Sequence, residues 1–352
     1  MSIIYVLIAI LLLGILVVAH EFGHFMAARL TGIEVMEFAV GFGPKLLSRT
    51  SKKTGTVFSL RAIPLGGFCS FYGEDDATGK TKDDPRAYSR QNVWKRMFTV
   101  LMGPMMNFIL AFVVTVVYVL CVGVADVEPY LMDVDVGGPA QVAGLQAGDV
   151  IAAVNGADVL DGTMETLLAA IDGADELMLT VQRDGETMTI PCTPFWDAET
   201  NSYRIGITVS SRLTGTNHPI SFPGALRQSW DTCVYAGGVI LGGVAALVTR
   251  GEGFDQTSGP VGVVTIVSQE VRAYGFDAFI NLLVIISINL GIMNLLPIPG
   301  LDGSRFLFMV AEAIRRKPVP QEKEAMVHLV GMLFLFSLMI FFTFRDVMNL
   351  FR

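Results

Sequence analysis

The sequence predicts a polytopic α-helical membrane protein of about four transmembrane helices, with a membrane-associated β-hairpin region and an inserted extracytoplasmic α+β domain. Three observations carry this reading. Of 352 residues, 52% are hydrophobic and only 16% charged, and the mean hydropathy is +0.54, well outside the range of an ordinary soluble domain. Apolar windows of the length a helix needs to cross the hydrocarbon layer lie near 3–19, 97–122, 278–296 and 326–344. Between them run two segments of a different character, broken into short β-prone stretches by Gly, Pro and Asn-Gly or Asp-Gly pairs.

Taken in order, the expected organisation is a first transmembrane helix over 1–30 and a cytoplasmic, membrane-associated hairpin loop over 31–92. A second helix covers 93–125, a globular module 127–195, and a linker with an amphipathic helix 196–277. A third helix spans 278–304 and a fourth 325–345. The first window is read as a retained helix, since it lacks a basic leader and cleavage near Ala19 would sever it from the polar residues that follow. Sidedness follows from Lys and Arg: twelve lie between residues 29 and 96, six between 126 and 277, five between 305 and 323, and two after 344. The first and third loops are therefore expected in the cytoplasm, and the termini and the module outside it.

The net charge of −8 argues against a nucleic-acid surface. Cys69, Cys121, Cys192 and Cys233 are too scattered for a thiolate zinc site or a disulfide framework.

The first transmembrane window ends in "LVVAHEFGHFMAARL", residues 16–30. On a helix His20 and His24 share one face, so both imidazoles can reach one Zn²⁺ with Glu21 beside them, the H-E-x-x-H arrangement. Two histidines can also be satisfied polar groups in a helix bundle. Against that, an ionisable residue at membrane depth costs about 2.5–3.5 kcal/mol, so three in one turn would be an expensive accident. Catalytic zinc usually takes three protein ligands. The best third candidate is Asp302 in "NLGIMNLLPIPGLDGSR", where a hydrophobic helix breaks at Pro297 and Pro299. Its alternative reading is a cap on a helix beginning near Ser304.

Within the module, "GGPAQVAGLQAGDVIAAVNG" and the order of strands and helices resemble a PDZ domain of the bacterial protease-associated kind. Such domains bind extended peptides at a sheet edge; a spacer without a ligand is the alternative. The cytoplasmic runs "FAVGFGPKLLS" and "GTVFSLRAIPLGGFCSFYG" read as hairpins, an edge of which could hold an unwound substrate as an added strand, or which could be an inert connector.

"HEFGH", "GPMMNF", the PDZ-like module and "NLLPIPGLDG" together resemble the site-2 protease family of intramembrane zinc metalloproteases, over essentially the whole chain. The likeness is to the bacterial regulator-of-sigma-factor type, here with one PDZ domain. It implies His20, His24 and Asp302 as zinc ligands and Glu21 as the catalytic base. It implicates Asn294, in the segment with Pro297 and Pro299, in holding substrate; Asn294 capping the helix break is the alternative. Ser304-Arg305 follow Gly303 where many members continue with a second glycine. The implied location is the bacterial inner membrane, with the active site toward the cytoplasm. Implied partners are the lipid bilayer, a single-span membrane protein substrate such as an anti-sigma factor or signal peptide, and an upstream protease that first trims that substrate. The module over 127–195 is then expected to act mainly as a steric filter. Rival readings are a non-catalytic membrane PDZ adaptor and a zinc hydrolase of a small cytosolic molecule. A fifth apolar window, Trp230–Val248, is expected to lie at the outer interface, because a fifth span would put Asp302 about 30 Å from His20.

Overall fold

The computed structural model describes residues 3–74, 81, 83–158, 171, 175–197, 202–254, 257–317 and 319–350. The chain divides into two compact units, Met1–Tyr118 with Pro223–Arg352, and Val119–Phe222.

The first unit is built on long apolar helices: α1 (Ile3–Thr31), α2 (Val93–Val122), α4 (Phe222–Arg250), α5 (Pro260–Leu295) and α7 (Gln321–Leu350). All five contain a stretch long and apolar enough to cross a membrane, which makes the chain an integral membrane protein. Trp230–Val248, expected at the interface, is the middle of 29-residue α4 and meets the same length and composition standard as the other four. The expected third helix is likewise longer than its apolar window. α5 begins at Pro260 and turns at Gly275, whose φ of 68° combined with ψ of −139° is open to glycine and not to residues with a side chain.

Residues Ala9, Leu12, Leu16, His20, Gly23, His24, Ala27 and Ala28 recur every three or four positions and form the buried stripe of α1. Ala9, Leu12 and Leu16 pack on Val267, Val271 and Leu283 of α5. The histidines therefore share a protein-facing stripe while Leu7, Leu11 and Leu30 are exposed. Where α1 meets α2 the contact is made by glycine, because a Cβ on Gly23 would lie 2.0 Å from the Met102 carbonyl oxygen.

Strands β1 (Val35–Thr50) and β2 (Val57–Phe71) are too long for one flat hairpin. Phe38 pairs with both Phe58 and Cys69, while Leu47 pairs with Leu60, so the ribbon folds back into four short segments. Glycines at 41, 43 and 66 take positive φ in this curled sheet. Glu37 fastens it, accepting hydrogen bonds from Lys45 (3.0 Å), Ser59 (2.6 Å) and Arg61 (2.8 Å). Ile33, Val35, Phe71 and Tyr88 pack on Ala28 of α1, Val100 of α2 and Met309 of α6 (Asp302–Arg315).

The second unit is a six-stranded sheet of order β10-β3-β4-β6-β7, with β5 paired to β4. These strands are β3 (Val124–Val134), β4 (Val150–Val154), β5 (Ala157–Asp158), β6 (Leu177–Arg183), β7 (Glu186–Cys192) and β10 (Ile207–His218). The short helix α3 (Pro139–Ala143) starts at Gly138-Pro139, and β8 (Phe195–Asp197) with β9 (Ser202–Arg204) makes a separate ribbon. Asp184 and Gly185, with φ of 52° and 85°, close the β6–β7 hairpin, as their pairing in the sequence predicts. Leu131, Ile151, Leu177, Leu179 and Val181 form the core. Beside it, nearly buried Asp149 holds Arg183 through two hydrogen bonds of 2.7 and 2.6 Å. Residues 164–171, "METLLAAI", for which the sequence predicts a helix, lie mostly outside the described residues.

Candidate metal centre

The buried stripe of α1 sets two imidazoles side by side, and α6 brings the third group. Asp302 opens α6, but the residue in the N-cap position is Leu301 and no side chain caps that end. Its Oδ2 instead stands 3.0 Å from His20 Nε2 and 3.3 Å from His24 Nε2. The two Nε2 atoms are themselves 3.3 Å apart. Zinc bonds of about 2.0–2.2 Å at the tetrahedral angle put neighbouring ligand atoms about 3.3–3.6 Å apart, so the two 3.3 Å separations match one face of a zinc tetrahedron and the 3.0 Å one has only to open by a few tenths of an ångström. Asp302 Oδ2 is buried and faces both imidazole Nε2 atoms, a set of ligand atoms that suits a metal. His24 Nδ1 donates to the Thr99 carbonyl at 2.9 Å; that oxygen can only accept, which leaves His24 Nε2 with its lone pair facing Asp302. These donors fit a zinc ion and leave the fourth position to water or substrate.

Glu21 follows His20 on the helix, and its side chain lies beside β2. Gly67 of the same strand is so close to α1 that a Cβ there would stand 3.3 Å from Glu21 Cγ and 3.0 Å from Val17. The Gly67–Phe71 segment pairs only with β1 among the described residues, so a strand edge runs beside the carboxylate.

The turn that delivers Asp302 is tightly fixed. A Cβ on Gly303 would meet the Leu296 carbonyl oxygen at 2.3 Å, and one on Gly331 of α7 would meet Pro299 at 2.2 Å. Ser304, standing where many members of the resembled family have glycine, donates to the Leu301 carbonyl at 2.8 Å. Of the segment the sequence associates with substrate, Pro297 is exposed, Pro299 packs against α7, and the Asn294 amide donates to the Leu290 carbonyl of its own helix at 3.0 Å. Asn294 thus stabilises the end of α5 in this structure.

Sequence reasoning did not find several supports. The Gly300 N–H donates to His328 Nδ1 at 3.3 Å, two residues before Asp302. Arg305 pairs with Glu74 at 2.6 Å, and Arg96 pairs with Glu312. They hold α6 to the hairpin region and to α2. No short-range pattern announces contacts between residues 28 to 231 positions apart.

A membrane-length helix carrying H-E-x-x-H, with an aspartate brought to it from a distant helix, defines a membrane-embedded metallopeptidase of the two-histidine, one-carboxylate class. The sequence of residues 8–338 matches the model of peptidase family M50, and the chain belongs to that family, as the zinc metalloprotease its site describes. It is 32% identical to the regulator of sigma-W protease RasP of Bacillus subtilis, over 97% of this chain and 98% of that protein. Zinc metalloproteases RasP of Bacillus licheniformis and Geobacillus kaustophilus are 32% and 30% identical, each over 97% of this chain and over 98% and 97% of their own length.

Proposed function

We propose that this zinc metalloprotease hydrolyses peptide bonds in or near the transmembrane segment of single-span membrane proteins, with pre-cleaved anti-sigma factors or signal peptides as the substrate class. The observation that carries the reading is the His20–His24–Asp302 cluster on the protein-facing stripe of a membrane-length helix, next to a strand edge that no other strand joins among the described residues. A soluble substrate would need no such site. The relative named as a regulator of sigma-W protease supports the anti-sigma branch.

His20, His24 and Asp302 would hold a zinc ion, which would supply Lewis acidity to a water and to the scissile carbonyl. Glu21 accepts the proton of the attacking water and returns it to the leaving amine. A helical substrate hides its carbonyls in i to i+4 bonds, so it must unwind before attack. The Gly67–Phe71 edge beside Glu21 then takes the freed backbone as an added strand. Asn294 stands at the broken end of α5, where release of its bond to Leu290 frees an amide for substrate. The centre lies toward the cytoplasmic face of a bacterial inner membrane, and the PDZ-like module lies outside. That module refuses substrates until an upstream protease has removed their outer domain. The adaptor reading is set aside by family membership, and the small-molecule hydrolase is disfavoured by the strand edge.

The test is incubation of the purified full chain with single-span substrates, with and without a zinc chelator. Chelator-sensitive cleavage within the transmembrane segment is expected. Cleavage confined to soluble peptides would overturn the proposal.

A further inference from the structure

The second helix carries "GPMMNF", a motif with no role in the chemistry described so far. Its first residue makes room: a Cβ on Gly103 would lie 2.3 Å from the His24 ring. One turn before, Thr99 offers the carbonyl that fixes the His24 tautomer. Pro104 has no N–H for the Val100 carbonyl, which loosens the ladder in that same turn. One turn after, Asn107 is fully buried with its amide nitrogen 3.2 Å from His20 Nδ1, and its side-chain oxygen has no partner among the described residues. Ser287 of α5 donates to the Asn107 backbone carbonyl at 2.8 Å and holds the residue in place.

This arrangement has a consequence for His20. With the amide nitrogen donating, Nδ1 accepts and the ring proton sits on Nε2, where it points at Asp302 and blocks metal ligation. For Nε2 to ligate, Nδ1 must carry the proton and find an acceptor. A half-turn about the last side-chain bond of Asn107 exchanges its nitrogen and oxygen within the same volume. It gives the orphaned oxygen a partner and Nδ1–H an acceptor together.

We propose that Asn107 is the positioning residue of the first zinc ligand: in the metal-loaded enzyme its side-chain oxygen accepts from His20 Nδ1–H and selects the Nε2-ligating tautomer. The proposal rests on the zinc reading above and adds a residue to it. α2 then supplies an acceptor to each histidine, Thr99 to His24 and Asn107 to His20. An amide serves at this position because it can donate before metal uptake and accept after it.

The experiment measures zinc affinity of the full-length protein in detergent by chelator competition, for wild type, Asn107→Leu and Asn107→Asp, with thermal unfolding of each metal-free form. Leucine fills the volume without an acceptor, whereas aspartate can only accept. Asn107→Leu is expected to lose more than about tenfold in zinc affinity and Asn107→Asp less than that, since outer partners of ligand histidines are worth about 10–100-fold. A smaller loss in Asn107→Leu, or a loss beyond about tenfold in Asn107→Asp, overturns the proposal. If Asn107→Leu shows no unfolding transition, Asn107→Asp alone decides. A wild-type chain that binds no zinc would instead refute the metal centre itself.

Discussion

Gly103→Ala probes the metal centre from outside its ligand set. The added Cβ would lie 2.3 Å from both Cε1 and Nε2 of His24, whereas real Cβ atoms do not approach closer than 3.0 Å, so the ring or the helix must yield by at least 0.7 Å. Metal–ligand distances tolerate only about 0.2 Å. The ring is also tethered through Nδ1 to Thr99, on the same helix as the intruding methyl, so it cannot retreat without breaking that bond. Zinc affinity should fall by at least 10–100-fold, roughly the loss seen when a ligand's supporting shell is removed. The assay is chelator competition with the purified protein, alongside Gly14→Ala as a control on α1, where a Cβ meets nothing within 4 Å. Alanine is the better helix former, so the control should be neutral or slightly stabilising. If Gly103→Ala holds zinc as tightly as wild type, the close approach of α2 to His24 is wrong, and with it the account of the site.

Glu21→Gln should keep its zinc and lose proteolysis, whereas Asp302→Ala should lose both; full activity in the first, or unchanged metal content in the second, removes the assigned role. A cysteine at Lys52, in a chain with its native cysteines replaced, should react only from the cytoplasmic side and one at Glu186 only from outside; reversed labelling would invert the topology. Burial opposes ionisation of Glu37, but hydrogen bonds from Ser59, Arg61 and Lys45 outweigh it and hold the carboxyl at about 2. Because that value lies below the ordinary one of 4.5, its stabilisation of the curled sheet is complete above pH 4.5 and is lost as pH falls toward 2. Hydrogen exchange in β1 and β2, corrected for intrinsic rates, should therefore accelerate below pH 4.5 in wild type and show no such step in Glu37→Gln. Deleting residues 127–195 should leave cleavage of a pre-trimmed substrate near normal and permit cleavage of the untrimmed one; continued refusal of the untrimmed substrate places the filter elsewhere.

Much of this protein is local and therefore visible in its sequence. Membrane character follows from apolar runs whose length is set by the bilayer, and the shared face of His20 and His24 follows from the helical repeat. The Asp184-Gly185 turn likewise depends on backbone preferences of two adjacent residues. Tertiary structure decided the rest. The sequence proposes Asp302 as a third ligand, but only packing brings it across 282 positions to 3.0 Å from His20. The same holds for Asn107 and Thr99, whose value lies in which histidine nitrogen they face, and for the fold-back of β1 and β2, where Phe38 takes two partners. α4 marks the limit from the other direction. Its composition satisfies the length of a span, because hydropathy records what a segment can be buried in and not where the neighbouring helices place it.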